Sequence, residues 1–245
     1  MDADPLLGPL REAALAVAEA LAGLEDWGPN GERPGQYRLD VAADAAALAV
    51  LRQAGLAVFS EESGRTGDGP LLAVLDPVDG STNAYHGIPF YSTSICVLDE
   101  AGPRVALVAN QVSGARYEAV RGGGAWRDGQ PLAPSGRERI GEAIVGIAGF
   151  PDRDLGWAQF RALGAASLEL CAVAEGSLDA YLQVGHAGIF PWDYLGGLLV
   201  CREAGALVVD PEGRDLLEPV PERRRPVAAA TRPLLDEILN AVAGR

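Results

Sequence analysis

An α+β fold of two coupled lobes is what this 245-residue sequence predicts, on three observations. Apolar runs at 92–98, 104–110 and 115–121 follow one another across short polar breaks, the pattern of an antiparallel meander. Two helical periodicities precede them, and from about residue 136 strand and helix patterns alternate instead. With 48% hydrophobic and 22% charged residues, the chain has the composition of a folded protein that buries a sizeable core.

Residues 6–24, rich in Ala and Leu with Arg11, Glu12 and Glu19 interspersed, predict an amphipathic helix that the Gly- and Pro-containing stretch 27–35 ends as a loop. A second helix is predicted over about 40–53, stopped by Gly55, and then a short strand at 57–59 delivers Ser60-Glu61-Glu62-Ser63. The polar segment 64–69 reads as a loop and 71–75 as a buried strand ending at Asp76. After the meander, Arg127-Asp128-Gly129-Gln130 reads as a hairpin turn. Strands are then predicted at 143–148, 178–182 and 206–209, and helices near 153–163 and at 167–175, 191–204 and 233–242. Neither an internal repeat nor a low-complexity linker occurs, so lobes at 1–135 and 136–245 are expected to share an interface.

The formal charge of −14 opposes nucleic acid over most of the surface, and the short run Arg223-Arg224-Arg225 reads as a solvated turn; no nucleic-acid partner is expected. The absence of lysine excludes a P-loop and Schiff-base chemistry. His86 and His186 are the only histidines, with no Gly-x-Ser-x-Gly elbow to serve, and His186 reads as a surface-loop residue. Cys96, Cys171 and Cys201 are far apart within apolar runs and read as buried thiols of a reducing compartment. No signal peptide opens the chain and no run approaches 18 apolar residues, so a cytoplasmic location without membrane contact is expected.

Residues 76–83, Asp-Pro-Val-Asp-Gly-Ser-Thr-Asn, are the most informative stretch. Asp, Pro and Gly also make ordinary turns. Here, however, a strand would deliver Asp76 and Asp79 together, with the Val78 carbonyl between them as a third oxygen ligand. Gly80-Ser81-Thr82 can open a helix whose unpaired N–H groups bind phosphate. Glu61 and Glu62 would repel such acids strongly at an adjacent strand end, unless divalent cations lie between them. Asp193, after Pro191-Trp192, and Asp44, early in the second helix, each also read as ordinary helix acids.

Taken together, Ser60-Glu61-Glu62-Ser63, Asp76-Pro-Val-Asp-Gly-Ser81 and Trp192-Asp193-Tyr-Leu-Gly-Gly197 resemble, in order, the motifs of the inositol monophosphatase family of magnesium-dependent, lithium-sensitive sugar phosphatases. Residues 164–181 follow the family pattern too. The resemblance implies a layered α-β-α-β-α sandwich with metals at the junction of the lobes. It implies that Glu61, Asp76 and the Val78 carbonyl hold a first Mg²⁺, that Asp76, Asp79 and Asp193 hold a second, and that Glu61 assists a third; Mn²⁺ substitutes. The Gly80 and Ser81 N–H groups would bind the phosphate.

By the same resemblance, a metal-activated water gives its proton near Glu61 and the Ser81 hydroxyl and attacks phosphorus, with Asp44 sharing the role of base. The alcohol portion would meet Asp79, Ala166, Gln183 and Asp193. The expected activity is hydrolysis of myo-inositol monophosphate or a related small polyol or sugar phosphate, by a homodimer. Alternatives are fructose 1,6-bisphosphate, 3′-nucleotide or histidinol phosphate as substrate, a non-catalytic regulatory protein of the same family, or a Ca²⁺-binding structural domain. Three departures from the family pattern stand out, the first two bearing on the third metal and the last on substrate choice. Val41-Ala42-Ala43 replaces the threonines usual before Asp44. The segment 28–36 lacks a lysine, for which Arg33 or Arg38 could stand in. Gln183 stands where inositol-specific relatives have a glutamate.

Overall fold

The computed structural model describes residues 4–31, 35–184 and 187–244; Arg33 and His186 lie outside the described residues. Helices α1 (Leu7–Ala22) and α2 (Arg38–Gln53) form the first layer. Their buried positions, Leu7, Leu10, Ala14, Val17 and Leu21 on one and Leu39, Ala43, Ala47 and Leu51 on the other, recur every three or four residues and so fall on one face of each helix.

That face covers an eight-stranded sheet built from β1 (Ala57–Ser60), β2 (Gly64–Thr66), β3 (Leu72–Asp79), β4 (Ser92–Asp99), β5 (Gly102–Asn110), β6 (Arg116–Val120), β7 (Gly124–Arg127) and β8 (Gln130–Pro131), in the spatial order β2-β1-β3-β4-β5-β6-β7-β8. Only β1 and β3 run parallel. Along these strands successive side chains alternate between two cores: Val58, Leu75, Ile95 and Leu107 pack under α1 and α2, whereas Phe59, Val74, Cys96 and Val108 pack on the opposite side. Burial on both faces is why the strands read as nearly continuous apolar runs.

The opposite side meets α4 (Ala166–Ala174) and α5 (Pro191–Ala204), which form the middle layer. Beyond them lies a second sheet of β9 (Ile144–Ala148), β10 (Gln159–Arg161), β11 (Ala180–Gln183), β12 (Leu207–Val209) and β13 (Val227–Ala229), ordered β10-β9-β11-β13-β12. Helix α6 (Arg232–Ala243) closes the outer face with Leu234, Leu235 and Ile238 against Val145, Ile147 and Leu182. The layers therefore run α-β-α-β-α. Gly196 and Gly197 let α5 sit this tightly: a Cβ on Gly197 would lie 2.6 Å from Leu170 Cβ, and one on Gly196 2.5 Å from Ser94 Oγ.

Four elements differ from the sequence reading. Residues 64–66 form strand β2, because Ser60, Phe59 and Val58 pair with them across a tight reversal. No helix forms over 153–163: Gly149 and Gly156 take φ of +91° and +86°, the Asp154 side chain accepts the Gly156 N–H at 2.8 Å, and Gln159–Arg161 joins β9 as a parallel edge strand. Strand β13 was hidden in Pro226-Val227-Ala228-Ala229, too short and too alanine-rich to signal a strand. Strand β3 runs on to Asp79, so Asp76 lies within it and not at its end.

The three cysteines are free and buried in β4, α4 and α5, and burial pushes each thiol pKa up. Among the described residues no helix is long and apolar enough to cross a membrane.

Candidate active site

The site is built where β1 and β3 run side by side and β3 is irregular. Ser60 is in register with Leu75, and the Glu61 N–H donates to the Leu75 carbonyl at 3.1 Å, so Glu61 lies beside Asp76. In the β3–β4 ladder Asp76 faces Ser94 but Asp79 faces Ser92, three steps on one strand against two on the other. That extra residue is a β-bulge. Side chains three apart on a regular strand point to opposite faces, and the bulge cancels the mismatch. Asp76 and Asp79 thus share the face toward α4 and α5, while the Val78 side chain packs in the core beneath α1 and α2. Pro77 suits the bulge because it has no N–H to leave unpaired, and its carbonyl accepts the Thr93 hydroxyl at 2.8 Å.

Gly80 then turns the chain at φ +89°, where a Cβ would lie 3.1 Å from Ala165 Cβ, the Gly164 carbonyl and the Phe90 carbonyl. Only glycine meets both demands. The short helix α3 (Ser81–Tyr85) starts here, and the N–H groups of a first helical turn have no carbonyl within the helix to accept them. Asn83 anchors the turn, its amide donating to the carbonyls of Phe90 at 2.8 Å and Leu163 at 2.7 Å.

Two helix starts converge on the bulge. Asp79 Oδ2 accepts the Ser167 N–H at 2.7 Å and the Ser167 hydroxyl at 2.5 Å, so this carboxylate caps α4 from a distant part of the chain. Asp193, in the first turn of α5 behind Pro191, accepts the Phe190 N–H at 2.7 Å. It therefore does the ordinary work of a helix-start acid. It does more: one carboxylate oxygen from each of Glu61, Asp76 and Asp193 lies within 4.8 Å of the others.

The electrostatic consequence is large. Asp76 is 1% exposed, and its Oδ1 has no hydrogen-bond partner among the described residues. Burial first, then the charges of Glu61, Asp79 and Asp193, hold the Asp76 pKa well above the usual carboxylate range. Burial and Asp79 raise Asp193 to about 7. Asp79 is raised by burial to about 6, the Ser167 and Ala166 donors opposing the rise. Glu61 keeps surface access, but its carboxyl end is desolvated and faces Asp193, Glu62, Asp40 and Asp79, which together push it up to about 8. Removing water from four mutually repelling carboxylates is costly unless positive charge joins them. Carboxylate oxygens alone, with no nitrogen or sulfur in the set, fit a hard divalent cation of the Mg²⁺ or Ca²⁺ kind.

The remaining sequence-predicted residues fall as follows. Asp44 is buried on α2, its Oδ1 accepting the Ser60 hydroxyl at 2.5 Å and so tying α2 to the end of β1. Ala166 is buried as the first residue of α4, where its N–H lowers the Asp79 pKa. Gln183 is 7% exposed at the end of β11, and its side-chain carbonyl accepts the buried Tyr181 hydroxyl at 3.3 Å. Glu62 accepts a hydrogen bond from the Gln36 amide.

Three residues were missed by sequence reasoning. Asp40, whose carboxylate accepts the Tyr37 N–H at 2.9 Å, adds its charge to Glu61 and Asp76. In sequence it is simply the residue at which the second helix was expected to begin. Glu169 is fully buried on α4 and raised to about 8 by that burial, with the N–H groups of Leu163, Gly164 and Ala165 opposing the rise. It braces the segment against which Gly80 packs. Arg223 carries positive charge toward Asp193, and its neighbour Arg224 is 7% exposed and paired with Glu222 at 2.9 Å, so Arg223-Arg224-Arg225 is not simply a solvated turn. No local signal distinguished these three.

The sequence pattern of the inositol monophosphatase family matches residues 30–244 of this chain. The chain is 32% identical over 226 residues to the fructose-1,6-bisphosphatase/inositol-1-monophosphatase of Archaeoglobus fulgidus, with 88% of each chain covered. It is 30% identical over 253 residues to the Nus factor SuhB of Pasteurella multocida, with 95% of this chain and 92% of the relative covered. Among solved structures, the inositol monophosphatase of Anabaena (Nostoc) sp. superposes with a TM-score of 0.81 at 25% identity, over 98% of this chain and 95% of that one. A family match over residues 30–244, relatives at 30% and 32% identity along most of the chain and a shared fold place this chain in the inositol monophosphatase family.

Proposed function

We propose that this chain is a Mg²⁺-dependent phosphomonoesterase acting on myo-inositol monophosphate or a related small polyol or sugar phosphate. The family is metal-dependent and includes phosphatases, and phosphorylated sugars and polyols fit it as substrates. The observation that carries the reading is the cluster of Glu61, Asp76 and Asp193 oxygens within 4.8 Å of one another, in which the buried Asp76 has an Oδ1 with no hydrogen-bond partner among the described residues.

On this reading Glu61, Asp76, the Val78 carbonyl, Asp79 and Asp193 hold the cations. A divalent cation held there supplies charge neutralisation for the phosphate and lowers the pKa of water. Gly80 and Ser81 direct N–H groups of the α3 start at the phosphate, a position supported by the forced turn at Gly80. Glu61, at the open edge of the cluster, and the Ser81 hydroxyl take the proton of the attacking water. Asp44 steadies Ser60 and with it the end of β1. Asp193 faces the departing alkoxide. Residues 1–135 and 136–245 then act as two coupled lobes, a division supported by acids that come from β3 on one side and α5 on the other.

Phosphate release from a panel of myo-inositol 1-phosphate, fructose 1,6-bisphosphate, a 3′-phosphonucleotide and histidinol phosphate tests the reading. Mg²⁺ is expected to give turnover with at least one ester, and chelator to abolish it. No release from any ester with Mg²⁺ or Mn²⁺ would sink it. The second reading, a regulatory protein, is favoured by one observation only, the relatives named Nus factor SuhB; binding to RNA or to transcription proteins in an inactive phosphatase would support it. A homodimer belongs to the leading reading, and a monomer by sedimentation at micromolar concentration would remove that part.

A further inference from the structure

Four arginines cluster beside the start of α5, and three of them are neutralised locally. Arg214 pairs with Asp210 at 2.8 Å, Arg224 with Glu222 at 2.9 Å and Arg225 with Glu212 at 3.4 Å. Arg223 forms no ion pair among the described residues, in a chain of net charge −14. Its guanidinium is nonetheless fixed. Nη1 donates to the Gly188 carbonyl at 2.8 Å, and the guanidinium carbon lies over the Phe190 ring, 4.4 Å from its centroid.

The support beneath it is stiff. Ile189 and Arg224 exchange two backbone hydrogen bonds of 2.8 Å, and a Cβ on Gly188 would come within 2.8 Å of the Arg224 carbonyl. Phe190 in turn stacks on Trp192 with centroids 4.7 Å apart, and Trp192 meets Phe59 of β1 edge-on. Phe190 is also the residue whose N–H binds Asp193, and the Arg223 charge is felt at Asp193. A cation is thus held beside Asp193, the acid assigned above to the departing alcohol, with most of its five N–H donors uncommitted among the described residues.

A guanidinium with one face stacked on a ring and its charge unneutralised suits bidentate recognition of an oxyanion. We propose that Arg223 is a specificity-determining residue that binds a second phosphate carried on the alcohol portion of the substrate. This inference rests on the phosphomonoesterase reading given above. It makes a sugar bisphosphate the favoured substrate class over an ester whose leaving alcohol is uncharged.

The test compares fructose 1,6-bisphosphate with fructose 1-phosphate, which differ only in the distal phosphate. In Mg²⁺, the ratio of kcat/KM for the bisphosphate to that for the monophosphate is expected to fall about tenfold or more in Arg223→Met, chiefly through KM, with partial recovery in Arg223→Lys. A merely structural role would lower both esters alike, and an unchanged ratio overturns the proposal. If the wild type turned over neither fructose ester, the hydrolytic reading would still be decided by the other esters of the panel, and Arg223 by binding. Calorimetric titration of both esters in Ca²⁺ then decides on Arg223: loss of bisphosphate preference in Arg223→Met supports the role, and equal binding by wild type and variant refutes it.

Discussion

Asp76→Asn is expected to abolish hydrolysis and at the same time to stabilise the metal-free protein. Asp76 is the most deeply buried acid of the cluster, has one oxygen without a partner among the described residues, and faces Glu61, Asp79 and Asp193. An amide there removes a desolvated charge and offers N–H donors to the neighbouring carboxylates. In chelator the melting temperature should rise, by roughly 2–4 °C for each kcal/mol of relieved repulsion in a chain of this size. With Mg²⁺ the order should reverse, since the variant loses a ligand and with it the stabilisation that a bound cation confers. The fall in kcat/KM should reach about 10³-fold, which corresponds to roughly 4 kcal/mol of lost transition-state stabilisation. Calorimetric melting with and without cation, beside phosphate release, measures both halves. A variant that kept activity within tenfold of wild type, or melted lower in chelator, would show that Asp76 is not at the centre of the site.

The second large effect is a pH dependence of stability opposite to that of most proteins. A carboxyl whose folded pKa lies above its unfolded value binds more protons in the native state. Stability from that group is therefore fully present below the unfolded pKa and is lost as pH rises through the folded one. Asp79 is raised to about 6, Asp193 to about 7 and Glu61 to about 8, against unfolded values near 4. The metal-free protein should consequently lose melting temperature steadily from about pH 5 to pH 8, where paired carboxylates would ordinarily be at their best. Millimolar Mg²⁺ at pH 8 should restore it, because cation binding takes over the role of the protons. A melting temperature in chelator that stayed level or rose across this window would mean that the cluster does not hold its protons as its burial requires.

The two expectations share a cause, since desolvated acids that face one another without a counter-charge destabilise the fold. How much of that arrangement could be read beforehand differs residue by residue. Glu61, Asp76 and Asp79 were legible because they sit beside turn and glycine signals within a few residues, and local sequence carries such signals well. Asp193 was legible only through the motif it shares with relatives, since by itself it resembles any acid in a first helical turn. Asp40, Glu169 and Arg223 left no trace. Asp40 and Glu169 are ordinary helix residues until α2 and α4 are docked, and Arg223 belongs to a charged run whose solvation depends on Phe190 and Gly188.

The secondary structure divides in the same way. The helical stripes of α1 and α2, the β4–β5–β6 meander and the hairpin at Asp128-Gly129 follow from periodicity and turn chemistry, which are local. Edge strand β10 replaces the expected helix at 153–163 because pairing with β9 and two left-handed glycines outweigh the helical propensity of that stretch.

The sequence by itself determined that this protein is an α+β chain with an acidic Asp-Pro-Val-Asp-Gly turn, no lysine and a family resemblance. Tertiary structure alone decided that a one-residue bulge in β3 puts Asp76 and Asp79 on one face, that Asp79 is capped by α4, and that α5 brings Asp193 to within 4.8 Å of both Glu61 and Asp76. The physical reason is that strand pairing and helix docking fix side-chain direction across more than a hundred residues of chain, a separation over which no local pattern carries information.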